Sequence, residues 1–108
     1  MKYVLLICTE GPIEASGAEL DPTAWVEETG RRGVRLFGNR LRPAEDATTV
    51  RVRDGEVLLT DGPFAETKEQ MGGFDVIECR DLDEAIEVAS RHPMARFGMI
   101  EVRPFWTQ

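Results

Sequence analysis

The sequence is poor in the residues from which metal sites and disulfide frameworks are built, with one histidine and two cysteines. A structural zinc site uses four Cys or His ligands at short spacings, and one histidine among scattered acids does not provide them. Cys8 and Cys79 each lie in an apolar strand pattern, and we expect no leader sequence before them. We therefore expect no metal, and reduced core thiols rather than a disulfide. The two thiols would approach each other only if their strands are neighbours.

Nucleotide-binding and hydrolase motifs are also missing. The glycines at positions 30, 33 and 38 match neither the phosphate-loop nor the dinucleotide fingerprint. Ser16 and Ser90 lie outside a nucleophile-elbow pattern. We therefore expect no cofactor and no serine hydrolase activity.

Positive charge is in the minority: 13 Lys and Arg stand against 20 Asp and Glu, a net charge of -7. Such a chain repels phosphate backbones and anionic lipid, so we expect no nucleic-acid partner and no membrane partner. The arginines between Arg31 and Arg42 are typical of a solvated helix end and strand edge, with a local basic patch as the alternative. The apolar run at residues 3–8 is too short for a membrane span or a signal core. These features predict a cytoplasmic protein.

The length of 108 residues allows one domain, which we place at residues 1–108. Asp54-Gly55 between two short apolar runs predicts a β-hairpin, and Asp81 with Glu84 predicts a helix N-terminus. Apolar periodicity predicts strands at residues 2–9, 34–41, 48–53, 56–60, 73–79 and 97–103, and helices at residues 21–32 and 81–92. This order predicts an α+β ferredoxin-like sandwich with an inserted β-hairpin.

The first strand predicts a partner subunit. Both helices of such a sandwich cover one face of the sheet, and the apolar run at residues 4–7 implies burial on both faces. Since an apolar sheet face needs a cover, we expect a homodimer that packs sheet against sheet.

The segment at residues 60–74, Thr-Asp-Gly-Pro-Phe-Ala-Glu-Thr-Lys-Glu-Gln-Met-Gly-Gly-Phe, is more specific than a connection requires. In a structural interpretation, Asp61 bonds its own turn or caps a short helix that Pro63 begins. Gly72 then ends that helix, and Gly73 admits the next strand. This interpretation does not explain why the segment carries a large aromatic side chain and a run of charged residues.

In a functional interpretation, Asp61 is a general acid or base at the mouth of a pocket, and Phe64 is an apolar wall that desolvates it. Lys68, bracketed by Glu66 and Glu69, would bind an anionic or carbonyl oxygen. His92 precedes Pro93 and is either a cap at a helix C-terminus, where the helix dipole favours its charged form, or a proton carrier facing the same pocket.

The chain resembles the DGPF-domain branch of the YCII-related proteins. The resemblance rests on residues 1–3 with the strand after them, 48–55, 60–74, 81–85 and 98–104. It implies a dimeric α/β barrel similar to that of muconolactone isomerase-like proteins. Some relatives resemble small-molecule enzymes with a catalytic His-Asp pair. The histidine of that pair falls in the first half, where this chain has none, so the pair is not carried over.

The leading hypothesis is a cytoplasmic homodimer with a small-molecule pocket between sheet and helices. Its candidate catalytic residues are Asp61 and His92, and its candidate ligand contacts are Phe64, Glu66 and Lys68. An alternative follows from the resemblance, since genes of DGPF-type proteins often lie beside extracytoplasmic-function sigma factors: an interaction module in transcriptional regulation. A dimer without a ligand is the third hypothesis.

Overall fold

The fold is taken from a computed structural model that describes residues 1–13, 15–62 and 69–107. Its main sheet is built from four strands, and a separate pair of strands forms a hairpin. The elements in chain order are β1 (Lys2–Glu10), α1 (Gly17–Leu20), α2 (Thr23–Arg31), β2 (Arg35–Arg40), a 3-10 turn (Ala44–Asp46), β3 (Thr48–Arg53), β4 (Glu56–Asp61), β5 (Glu69–Glu78), α3 (Leu82–Ser90), α4 (Met94–Phe97) and β6 (Met99–Pro104).

The main sheet has the strand order β2-β5-β1-β6, with antiparallel pairing throughout. Two strand-helix-strand units, β1-α2-β2 and β5-α3-β6, interlock so that β1 and β5 lie side by side in the centre. This arrangement confirms the predicted α+β class and is compatible with a ferredoxin-like fold. No helix in the described ranges is long and apolar enough to cross a bilayer.

One face of the sheet carries the hydrophobic core. Alternation along β1 turns Tyr3 and Leu5 toward α2 and α3, where both are fully buried. The indole Nε1 of Trp25 on α2 donates to the carbonyl of Val88 on α3 at 2.9 Å, which ties the two helices together. The core cluster comprises Tyr3, Leu5, Trp25, Val34, Ile77, Cys79, Ala85, Val88 and Ala89.

The opposite face, called here the outer face, is less covered. Val4 and Leu6 of β1 are half-buried there, opposite Val76 and Phe74 of β5. Phe37 from the edge strand contacts Phe74 edge-on, with ring centroids 6.0 Å apart, and stays exposed. The helices therefore bury one side of the apolar run at residues 4–7 and leave its other side half-buried.

The hairpin prediction is confirmed. Asp54 and Gly55 both have positive φ, 51° and 77°, as a two-residue type I′ turn requires. The resulting strands β3 and β4 form a sheet of their own, called here the arm. Along the arm, every side chain from residue 50 to 61 is exposed. One side of the arm, its apolar face, consists of Val50, Val52, Val57 and Leu59.

The capping prediction for α3 also holds: the Asp81 carboxylate accepts from the backbone N–H of Glu84 at 2.9 Å. Helix α2 begins at Thr23, one residue later than a helix capped by Asp21 would. The Asp21 carboxylate accepts from the backbone N–H of Thr23 at 3.0 Å. A capping box joins Ser16 and Glu19 and opens the short helix α1, which lies between the first predicted strand and the first predicted helix.

Two boundaries were wrong. Gly72 does not end a helix, because β5 already begins at Glu69 and Gly72 lies at a bulge opposite the step from Ile7 to Cys8. The last strand begins at Met99, since Met94–Phe97 forms the helical turn α4. Cys8 and Cys79 are not joined in a disulfide. Their strands are neighbours, but Cys8 pairs with Met71 near the opposite end of β5 from Cys79.

Candidate functional site

A cavity of about 280 Å³ lies on the helix side of the sheet, next to the core. It opens between the ends of β1, β2 and β5 and the segments that carry α1, α2 and α4. Its lining residues are Ile7, Thr9, Ile13, Leu20, Pro22, Val26, Arg35, Asn39, Arg40, Gly72, Gly73, Asp75, His92 and Met94. Two other depressions nearby are wider open, and neither reaches Asp75 or His92. Both are lined by Leu41–Ala44, Gln70 and Met71.

A buried ion pair crosses the floor of the cavity. Arg35 on β2 and Asp75 on β5 both point to the helix side, and Arg35 Nε lies 2.8 Å from Asp75 Oδ1. Asp75 is only 5% exposed. Burial raises the pKa of the Asp75 carboxyl above its ordinary value, and the hydrogen bond and charge of Arg35 oppose part of that rise.

Glycine makes room for this pair. Gly38 lies opposite Asp75 on the edge strand. A Cβ at Gly38 would collide with the Asp75 carboxylate and lie 2.5 Å from the Phe74 carbonyl oxygen. A Cβ at Gly73 would lie 3.0 Å from the Asn39 carbonyl oxygen.

His92 forms one wall of the cavity and is 4% exposed. Its ring packs edge-on against Trp25, with centroids 4.7 Å apart. The backbone N–H of Met94 donates to His92 Nδ1 at 3.0 Å. Because Nδ1 is an acceptor, the neutral ring carries its proton on Nε2.

The electrostatics of His92 differ from the sequence expectation. Its backbone N–H donates to the carbonyl of Ala89 at 3.1 Å, so the residue does lie at the end of α3. Burial, together with the positive charge of Arg35, nonetheless lowers the pKa of His92 to about 4. The ring is therefore neutral at physiological pH, because desolvation outweighs the helix dipole that would favour its charged form.

Of the two predicted site residues that the structure describes, one lies at this cavity. His92 lines it, whereas Asp61 is exposed at the base of the arm, opposite Thr48. The other predicted site residues lie outside the described residues: Phe64, Glu66 and Lys68.

Arg35 and Asp75 were not singled out from the sequence as site residues. The signal for Asp75 was a lone carboxylate within the apolar run of β5, on the same side as Ile77. Arg35 was visible only as one member of the arginine cluster. Their meeting depends on the pairing of β2 with β5, across 40 residues of chain.

The arrangement is suited to binding and proton transfer. It places a guanidinium, a carboxylate with a raised pKa and a neutral imidazole beside an otherwise mostly apolar space. Clusters of this kind in a concave site are typical of functional sites. Within the described ranges, no group of three or more His, Cys, Asp or Glu side chains is arranged to hold a metal ion.

The lowered pKa of His92 predicts a dependence of stability on pH. Between pH 6.5 and about 4 the unfolded chain binds a proton at His92 that the folded chain does not. The free energy of unfolding therefore falls as the pH decreases through this window. From pH 7.5 to pH 5, this residue should contribute a loss of about 2 kcal/mol.

His92→Asn isolates this contribution, since the amide oxygen can still accept from the Met94 N–H. Urea unfolding at both pH values should show a loss about 2 kcal/mol smaller in the variant than in the natural protein. Asp75 titrates in both proteins, so its contribution largely cancels in the comparison. Equal losses in the two proteins would contradict the buried neutral imidazole.

Comparison with known proteins identifies the family of this chain. A family model described as the YCII-related domain matches residues 1–107. A segment of 67 residues is 49% identical to an uncharacterised protein of Rhizobium meliloti (strain 1021), covering 60% of this chain and 54% of that protein. The chain thus spans about half the length of this curated relative, whose name states no activity. Because the family model matches almost the whole sequence, the chain belongs to the YCII-related family.

Proposed function

We propose that the protein binds a small molecule in the helix-side cavity and acts on it by proton transfer. The observation that carries this proposal is the convergence of Arg35, Asp75 and His92 on one mostly apolar space. A buried ion pair is weak support for stability, since apolar residues in its place are often neutral or stabilising. Its position at a cavity favours a functional reason for it.

The three side chains take different roles in this proposal. The Asp75 carboxylate, whose pKa is raised by burial, accepts a proton from the ligand. Neutral His92 donates a hydrogen bond from Nε2 to an oxygen on which charge develops. Arg35 orients Asp75 through its Nε. Asp61 lies on the arm and does not line the cavity of its own subunit. The predicted role of Asp61 as an acid or base would therefore require that another subunit bring it to a cavity.

Filling the cavity tests whether it is a binding site. Ile13 lines the opening and is half-buried, so Ile13→Trp should occupy the space without disturbing the sheet. Thermal unfolding is measured against a panel of small organic acids, amides, amines and ketones. Compounds that raise the melting temperature of the natural protein should leave that of Ile13→Trp unchanged.

Ile86→Trp is the matched control, because Ile86 is exposed on α3 and does not line the cavity. Its melting temperature should respond to the same compounds as that of the natural protein. A panel without any stabilising compound, or one whose compounds stabilise Ile13→Trp equally, would refute a binding function for this cavity.

We also propose that the protein is a homodimer that covers the outer face of the sheet and the apolar face of the arm. An isolated two-stranded hairpin is at best marginally stable in water. The arm nevertheless presents four aliphatic side chains to solvent, all more than half exposed. On the edge strand, Phe37 and Leu36 are also exposed. A second copy of the chain would cover both the outer face of the sheet and the apolar face of the arm.

Adjacent leucines on the arm provide a matched test. Leu59 lies on the apolar face and is 67% exposed, whereas Leu58 lies on the other side of the same strand and is 37% exposed. Analytical ultracentrifugation of the natural protein should give twice the chain mass of 12.1 kDa. Leu59→Lys should weaken the dimer at least about tenfold, because a buried ammonium without a partner is costly.

Leu58→Lys should leave the dimer nearly unchanged. A monomeric natural protein at micromolar concentration would refute the dimer. Equal weakening by both substitutions would refute the assignment of the apolar face as the interface.

The exposed surface also supports a second candidate function, an accessory role with an extracytoplasmic-function sigma factor in the cytoplasm. Trp106 is 94% exposed after β6, and Phe105 beside it is also exposed. Large aromatic side chains are enriched in protein interfaces. If this function is correct, Trp106→Ser should abolish co-purification of a sigma factor and leave the dimer intact.

A further inference from the structure

The charge of the cavity differs from that of the chain. The protein as a whole carries a net charge of -7. Among the described lining residues, the ionised side chains are Arg35, Arg40 and Asp75, which sum to one positive charge while His92 is neutral. Arg35 and Asp75 neutralise each other within their pair. The positive charge of Arg40 is therefore uncompensated by any other described residue that lines the cavity.

Arg40 is well placed to use this charge. It lies on the helix side of the edge strand, opposite Gly73, and its own side chain is exposed at the cavity opening. The absence of a side chain at Gly73 leaves the space between Arg40 and the floor of the cavity free. An anionic group that enters there passes Arg40 and reaches Arg35.

The polar groups at the inner end are mainly hydrogen-bond donors. Among the described residues, Arg35 bonds only to Asp75, through Nε, which leaves its two terminal nitrogens as donors for a ligand. His92 offers Nε2–H, since Nδ1 already accepts from Met94. Asp75 Oδ1 already accepts from Arg35 Nε, and this contact balances the negative charge of the carboxylate. A group with two acceptor oxygens fits these donors best.

Most of the rest of the lining is apolar. Ile7, Ile13, Leu20, Val26 and Met94 surround a space of about 280 Å³, close to the lower limit for ligand pockets. This space suits a single ring or a short branched chain. A cationic ligand would meet two arginines at the same site.

We propose that the cavity binds a small monocarboxylate with an apolar body, its carboxylate toward Arg35, Arg40 and His92. This inference rests on the proposed function, because it names the ligand class of the same cavity. Arg40 attracts the carboxylate, Arg35 and His92 hydrogen-bond it, and the aliphatic side chains contact the body. Arg40 is thereby a specificity-determining residue.

Benzoate and benzamide, which have nearly the same shape, separate charge from packing. Isothermal titration calorimetry of the intact protein at low ionic strength should show benzoate binding about tenfold more tightly than benzamide. Ile13→Trp should bind neither compound, which localises the binding to the cavity. Isovalerate and isovaleramide repeat the comparison with an aliphatic body.

Arg40→Gln is the main variant, because its exposed position makes it tolerant of substitution. It should lower benzoate affinity about three- to fivefold and leave benzamide affinity unchanged. Arg31→Gln, exposed in the last turn of α2 and not part of the cavity lining, is the matched control and should bind both probes as the natural protein does. The double variant Arg35→Gln with Asp75→Asn keeps the inner pair neutral and hydrogen-bonded, and it should lose most of the preference for benzoate.

The outcomes distinguish this inference from the proposed function. Binding of both amides without a preference for the acids would overturn the carboxylate assignment and support the cavity as a binding site. A preference for the acids that is unchanged in Arg40→Gln and in the double variant would also overturn it. If neither acids nor amides bind while other compounds stabilise the protein, the ligand class is wrong and the binding function stands.

Discussion

The buried ion pair between Arg35 and Asp75 is the interaction on which the rest of the site depends. A carboxylate that is 5% exposed cannot stay ionised without a close partner. Arg35 reaches it at 2.8 Å because a bulge in β2 turns Arg35 to the helix side. Gly38 leaves room for the carboxylate above the edge strand. Burial of His92, together with the positive charge of Arg35, then keeps His92 neutral.

The two faces of the sheet have different surroundings. The helix side is packed at one end, around Leu5 and Ile77, and open at the other, where Gly72 and Gly73 carry no side chains. The outer face and the arm carry aliphatic residues that the described part of the chain leaves exposed. The double glycine of the residue 60–74 segment thus belongs to the cavity, and the segment joins the arm to the strand that carries Asp75.

Local chemistry made much of the fold predictable. Asp54-Gly55 predicted the hairpin and Asp81 the start of α3, because both signals act within a few residues. The site was less accessible to prediction, since Arg35 and Asp75 meet only through the pairing of two distant strands. His92 was found as a lone titratable side chain, but its neutral state follows from burial against Trp25, which no local pattern reveals.

The account depends on the coupling between Arg35 and Asp75, and a double-mutant cycle measures it most directly. Urea unfolding at pH 7 would compare Arg35→Gln, Asp75→Asn and the double variant with the natural protein. We expect Arg35→Gln to lower the free energy of unfolding by about 3 to 5 kcal/mol, since it leaves a buried carboxylate without its partner. The double variant should recover most of that loss. Additive effects of the two substitutions would show that the pair is not coupled and would contradict the account of the site.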